Sequence, residues 1–289
     1  MKKILLIGAT GFIGRNILPL LQTKYSVYAP ARHELNLLDY ESVKDYLRSH
    51  NIDTIIQSAN PNPVKNALED KPETMFEDSM RIFMNLYLLQ DYYGKMLYFG
   101  SGAEYGKARD ISLAEEIQVG RIVPSDSYGL AKLWMNELAK KSKNIYNLRI
   151  FGCYGPYDHE SKFLTHVIRC CLKEETITIR QNCIFDYMQV FDLAKIVSFF
   201  IERNMRYHDY NVCTGIPVSL YDIAAAIKQQ MHSSSPIVIE KDGFNKEYTG
   251  SNDRLLEEIP FDFAFTSITN GIQIQIDFER KYYYEKTCG

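Results

Sequence analysis

The chain has 289 residues, enough for one large α/β unit or two closely coupled lobes, and its 46% hydrophobic and 24% charged residues are ordinary for a soluble enzyme. A formal net charge of −3 leaves no basic field to draw nucleic acid or an anionic membrane, so neither is expected as a partner. The six cysteines form no C-x-x-C pair and no zinc-finger spacing, which argues for free thiols in a reducing compartment rather than a metal site or disulfide framework.

Lys2-Lys3 before Ile4-Leu5-Leu6-Ile7 imitates the start of a signal peptide, but the apolar run stops at Gly8, short of a signal core, and no stretch is long enough to span a bilayer. A cytoplasmic protein is expected. Residues 3–7 read as a strand, 12–22 as a helix, 25–29 as a strand and 43–49 as a helix. A third strand over 54–58 leads into a long helix at 72–93 and a fourth strand at 95–99. A helix over 127–141 and a strand over 146–151 follow. Short apolar runs alternating with amphipathic stretches are the signature of βαβ units, which predicts a Rossmann-type, doubly wound parallel sheet of the α/β class with ligands at the strands' carboxyl ends. After Gly155-Pro156 the pattern loosens into a smaller mixed α/β lobe. The expected division is residues 1–152 as the dinucleotide-binding unit, joined again by 184–212, with the rest of 153–289 binding substrate.

The first turn carries the clearest chemical signal. Gly8, Gly11 and Gly14, with Thr10, Phe12 and Ile13 between and around them, stand between the first strand and the first helix. Glycine permits the tight turn, lets the backbone approach a pyrophosphate and packs helix against strand, while the helix N-terminus supplies N–H donors. The spacing is G-x-x-G-x-x-G rather than G-x-G-x-x-G; the strand–helix context is what gives it weight. The second strand lacks the terminal acid that would bind the ribose 2′-hydroxyl of NAD. Arg32 stands there instead, suited to a 2′-phosphate, so NADP(H) is favoured over NAD(H). Leu38 and Asp39 would lie by the adenine, with a helix N-cap as an equal role for Asp39, and Ala59, after the third strand, would border the same cofactor.

Three Tyr-x-x-x-Lys pairs occur, Tyr40/Lys44, Tyr128/Lys132 and Tyr282/Lys286, and position decides between them. Tyr128 opens a helix after the fourth strand and Ser101 lies just past that strand, so both belong on the edge where the cofactor should sit. Tyr128 would give its proton to a carbonyl oxygen receiving hydride from the nicotinamide, and Ser101 would hold that oxygen. A free phenol has a pKa near ~10; Lys132 and the oxidised nicotinamide are expected to lower it, with Lys132 also binding the ribose.

These segments, with 99–106, 148–156 and 186–194, resemble the extended short-chain dehydrogenase/reductases, the NAD-dependent epimerase/dehydratase group, over roughly the first two hundred residues. The resemblance implies a nucleoside-diphosphate sugar as substrate and a homodimer built on helices 72–93 and 127–141, with Phe83, Leu86, Leu133 and Trp134 in the contact, although core packing explains those side chains equally well. It also carries informative departures. Sugar 4,6-dehydratases resembling this block have an Asp-Glu pair where Gly102 and Ala103 stand, so water elimination loses its acid and base. GDP-fucose synthases have a catalytic Cys at the place of Ala103, which argues against their epimerising half. His166 falls where their catalytic His stands; a helical surface His is an equal alternative. The usual phosphate-binding Arg is replaced by Phe185, with Arg180 nearby as a substitute or a plain surface charge. An NADPH-dependent reductase of a nucleotide-linked 4-keto-(6-deoxy)sugar, of the kind used for surface polysaccharides, is the expected function. A 4-epimerase with tightly held NAD is the alternative, and a non-catalytic dinucleotide sensor a more distant one.

Overall fold

The computed structural model describes the backbone of residues 1–61 and 74–288, and side chains within that span through residue 282. The first half follows the expected alternation: β1 (Lys3–Ile7), α1 (Phe12–Gln22), β2 (Ser26–Tyr28), α2 (Tyr40–His50), β3 (Ile52–Gln57), α3 (Met75–Leu88), β4 (Tyr93–Ser101), a short strand β5 (Ile111–Ala114), α4 (Ser127–Ala139) and β6 (Ile145–Ile150). The helix expected over 72–93 is α3; its first two residues lie outside the described ones, and its end comes early because a 3-10 turn (Gln90–Tyr92) leads straight into β4. The strands were expected shorter than β3 and β4 prove to be, since polar ends such as Asp53 and Ser101 interrupt the apolar pattern but not the ladder.

Six parallel strands form the main sheet in the order β2-β1-β3-β4-β6-β10, where β10 is Asp209–Val212. Chain progression reverses at β1, between β2 and β3, so the ends of β1 and β3 flank the crevice where a doubly wound sheet binds ligands. Ile4, Leu6, Ile56 and Leu97 face one apolar layer with Ile17 and Leu21 of α1; Leu5, Ile55 and Met96 face the other with Phe83 and Leu86 of α3. Burial on both faces explains why these strands read as continuous apolar runs.

The rest of the chain adds β7 (Gly152–Tyr154), α5 (Phe163–Lys173), β8 (Ile177–Asn182), β9 (Ile184–Gln189), α6 (Val190–Glu202), β11 (Pro217–Ser219), α7 (Leu220–Met231), β12 (Ile237–Phe244), β13 (Tyr248–Gly250), α8 (Asp253–Leu256) and α9 (Ile268–Cys288). A second, mixed sheet runs β11-β9-β13-β5 with β7 beside β9, and β8 pairs with β12 alone. α6 packs on α1, and its Leu193, Ile196 and Phe200 join the layer around Ile4 and Leu6. A separate apolar cluster gathers α5, α7 and α9 around Val167, Ile223 and Ile272. Among the described residues no helix is long and apolar enough to cross a membrane.

Candidate active site

A cleft of about 920 Å³ opens along the carboxyl ends of β1, β2, β3, β4 and β6 and extends to β9 and β13. Its first wall is the turn after β1. Gly8 has φ +86°, and a Cβ there would stand 2.7 Å from the backbone nitrogen of Ala59; a Cβ on Gly14 would stand 2.1 Å from the Gly8 carbonyl oxygen. Both close approaches require glycine. α1 begins after Gly11 with no side-chain cap. Its first-turn N–H groups therefore present donors at a helix N-terminus, which suits a dinucleotide pyrophosphate. Gly8, Thr10, Gly11, Phe12, Ile13 and Ala59 line the cleft, and Gly14 supports them from below.

Arg32 and Leu38 also line this end, whereas Asp39 does not. Its carboxylate accepts from the Glu41 and Ser42 N–H groups at 3.0 and 3.3 Å, which makes it the N-cap of α2.

Ser101, Tyr128 and Lys132 meet in the middle of the cleft. Lys132 is buried, 3% exposed, and its ammonium donates to the Phe99 carbonyl at 2.8 Å. Two of its three N–H bonds remain for acceptors in the cleft. Burial pulls its pKa down to about 8, against an upward pull from Glu104. The Nζ lies 5.8 Å from the Tyr128 ring centroid. The expectation that Lys132 lowers the Tyr128 pKa needs correcting for the protein alone: burial raises the phenol, Ser101 is the hydrogen-bond partner that pulls it down, and the Glu104 and Asp126 charges push it up. Tyr128 is thus kept protonated, the state an acid needs for donating to a carbonyl oxygen. Neither Tyr40/Lys44 nor Tyr282 lines the cleft, and the Lys286 side chain lies outside the described residues.

Ser101 is fixed by a buried polar network that the local sequence pattern does not announce. Its backbone N–H donates to Glu104 Oε1 at 2.9 Å, and its hydroxyl accepts from the Ala103 N–H at 3.2 Å. Glu104 is fully buried and receives Arg149 Nε at 2.7 Å, while Arg149 Nη2 reaches Asp209 at 2.9 Å and Nη1 reaches Asn211 at 3.1 Å. Burial opposes the Arg149 charge, but Glu104 and Asp209 more than offset it and hold the guanidinium ionised. Gly100 leaves room for this network, since a Cβ there would fall 2.4 Å from Glu104 Oε1. An Arg inside the apolar strand Leu148-Arg149-Ile150 was the available signal: a buried guanidinium requires carboxylate partners.

The far end of the cleft is aromatic and cationic. Phe185 lines it, with its ring 5.4 Å from Tyr187 and 5.7 Å from Tyr248, and Lys107 and Lys162 are its exposed cations. The remaining candidates fall elsewhere. His166 is an exposed residue of α5 whose ring faces Cys170 Sγ at 3.6 Å, and Arg180 is exposed on β8; neither lines the cleft. Gly102 and Ala103 sit in the buried turn beneath Ser101 rather than on the cleft wall. Cys153 lines the cleft, but burial pushes its thiol far up, which leaves it a poor nucleophile.

The chain is similar to several known proteins. GDP-L-colitose synthase of Yersinia pseudotuberculosis is 30% identical over 183 residues, a match spanning 60% of this chain and 59% of that protein. GDP-6-deoxy-D-talose 4-dehydrogenase of Aggregatibacter actinomycetemcomitans is 25% identical, with 92% of this chain and 94% of that protein covered. The crystal structure of a GDP-L-fucose synthetase from Naegleria fowleri bound to NADP has the same fold, with a TM-score of 0.85 at 15% identity over 98% of this chain and 93% of the other. The sequence profile of the NAD dependent epimerase/dehydratase family matches residues 4–213, from β1 through β10 and so across every strand of the parallel sheet. This chain belongs to the NAD dependent epimerase/dehydratase family.

Proposed function

We propose that the protein reduces the 4-keto group of a nucleoside-diphosphate (6-deoxy)sugar with NADPH. The observation that carries this reading is the meeting of Ser101, Tyr128 and Lys132 in one cleft with Tyr128 held protonated. Bound NADPH supplies the hydride. Ser101 donates to the carbonyl oxygen, Tyr128 delivers the proton to it as charge develops, and Lys132 holds the ribose. Gly102 and Ala103 provide neither the acid nor the base that elimination of water requires. The cofactor choice rests on Arg32, whose guanidinium-bearing side chain borders the cleft after β2. Lys107 and Lys162 at the opposite end suit the substrate's diphosphate, in place of the expected Arg180.

The relatives' names point the same way, as one is a 4-dehydrogenase of a GDP-6-deoxysugar and another a GDP-sugar synthase. We place the enzyme in the cytoplasm as a homodimer serving surface polysaccharide synthesis. Of the four side chains expected in the dimer contact, Phe83, Leu86 and Leu133 are buried inside the chain; Trp134, 53% exposed, and Leu88, 60% exposed, are the groups on α4 and α3 open to a partner. The test is NADPH oxidation with a panel of nucleotide-linked 4-keto-6-deoxysugars, NADH in parallel. Turnover with NADPH that falls about 10²–10⁴-fold in Tyr128→Phe is expected. No turnover, with NAD retained through purification, would instead establish the 4-epimerase.

A further inference from the structure

Tyr248 reaches the reducing centre from β13, some 147 positions along the chain from Ser101, and its hydroxyl lies 3.4 Å from Ser101 Oγ. Its ring is clamped: Phe151 and Phe185 pack at 5.3 and 5.7 Å between centroids, and Lys107 Nζ sits 5.4 Å from the ring centre. Its backbone is tied down too, because Tyr248 pairs with Phe185 of β9 and with Ile111 of β5, and Thr249 accepts from the Leu113 N–H at 2.8 Å. Gly102 makes room for the phenol. A Cβ at that position would stand 2.6 Å from the Tyr248 oxygen and 2.8 Å from its Cζ. The same glycine that departs from the dehydratase pattern therefore admits a second tyrosine to the serine.

We propose that Tyr248 is a positioning residue that locks Ser101 as a hydrogen-bond donor toward the reacting oxygen. A serine hydroxyl has two acceptor sites and one proton. The Ala103 N–H fills one acceptor site at 3.2 Å. When the Tyr248 hydroxyl donates into the other, the serine proton has only the cleft to point to, where Tyr128 and the substrate carbonyl share the place. Burial raises the Tyr248 pKa and outweighs the contacts from Ser101 and the Ala103 N–H that pull it down, so it remains a protonated donor wherever the enzyme works; Ser101 pulls Tyr128 down in the same way. The order of donation is Tyr248 to Ser101, and Ser101 to the oxygen that Tyr128 protonates. No bond is made or broken at Tyr248; it sets a proton's direction before the reaction starts.

The inference rests on the reductive reading of the cleft, and two measurements separate their fates. The first needs no sugar. In the NADP⁺ complex labelled with ¹³C at tyrosine Cζ, the Tyr128 resonance, assigned by its loss in Tyr128→Phe, is titrated in wild type and in Tyr248→Phe. Loss of the lock frees the serine proton to turn away, so Tyr128 is expected to titrate at higher pH in Tyr248→Phe, and likewise in Gly102→Ala, where the added methyl pushes the phenol off Ser101. An unchanged midpoint overturns the proposal. A lower midpoint also overturns it, since that would mean Ser101 had been donating to Tyr248. The second measurement is steady-state reduction of a keto-sugar substrate. Tyr248→Phe should lower kcat about tenfold, the worth of one hydrogen bond, with the KM for NADPH unchanged. If wild type turns over no keto sugar, the proposed function fails while the titration still decides the role of Tyr248.

Discussion

Replacing Lys132 by methionine should stabilise the cofactor-free protein while abolishing its activity. Methionine keeps the length and apolar stem of lysine but removes an ammonium that is 3% exposed. Burial lowers that ammonium from 10.5 to about 8. At about 1.4 kcal/mol per pH unit, the gap corresponds to a penalty of about 3 kcal/mol for holding the charged form in the fold. Losing the hydrogen bond to Phe99 O gives back about 1 kcal/mol, leaving a net gain of about 2 kcal/mol at neutral pH. A chain of this size has an unfolding entropy of about 0.6 kcal/mol per degree, so the melting temperature should rise by about 3 °C. The pH dependence follows from the depressed pKa. Below about 8 both folded and unfolded states hold the proton and the penalty is complete; between about 8 and 10.5 only the unfolded state holds it, so wild type gains stability with rising pH and the variant's advantage shrinks, crosses zero and becomes a deficit of about 1 kcal/mol, the lost hydrogen bond. Thermal unfolding of both proteins across pH 7 to 10.5 checks this, and saturating NADPH should reverse the order by favouring wild type. A variant that melts lower at neutral pH, or an advantage that persists at the alkaline end, would refute the claim that the fold strains this lysine.

The same titration should appear in catalysis: kcat/KM for the cofactor is expected to fall as pH rises through about 8, where free enzyme loses the Lys132 proton, and Lys132→Arg should remove that limb from a pH–rate profile. Arg32→Ala should weaken NADPH binding about 10–100-fold and leave NADH nearly untouched, as read by nucleotide fluorescence titration. Glu104→Ala strands the buried Arg149 on one side and should cost about 3–5 kcal/mol in urea unfolding.

The parallel sheet was legible because its strands are apolar on both faces and its helices carry one apolar stripe, so periodicity and order alone suffice. Gly8 and Gly14 were legible because backbone crowding in the turn admits no other residue, and Ser101, Tyr128 and Lys132 because each falls at a fixed place relative to a strand end. Side chains on the second sheet escaped for a physical reason. β13 is three residues long and its neighbours β5 and β9 come from distant parts of the chain, so nothing in the local pattern around Tyr248 says that it returns to Ser101. Arg180 was attractive because it lies close in sequence to Phe185, but β8 and β9 pair with different partners, and the charge ends up on another face. Phe83, Leu86 and Leu133, expected in a dimer contact, are buried inside the chain for another reason. Phe83 and Leu86 are apolar on a helix, a pattern that core packing and partner contact produce alike.

The tyrosine proposed to react is set by contacts that themselves come from three directions: Ser101 from β4, Glu104 and Arg149 beneath it, and Tyr248 from β13. Glu104 holds the Ser101 backbone, so it fixes where the hydroxyl is; Tyr248 meets Ser101 at the hydroxyl, where on the proposal above it fixes where the proton points. The two should therefore fail differently. Loss of Glu104 should lower stability and activity together, whereas Tyr248→Phe should leave the melting temperature within about a degree and change only the proton chemistry, because an isosteric ring keeps its packing against Phe151 and Phe185. A Tyr248→Phe protein that unfolds as readily as Glu104→Ala would show the phenol to be a structural strut and remove the distinction between place and direction.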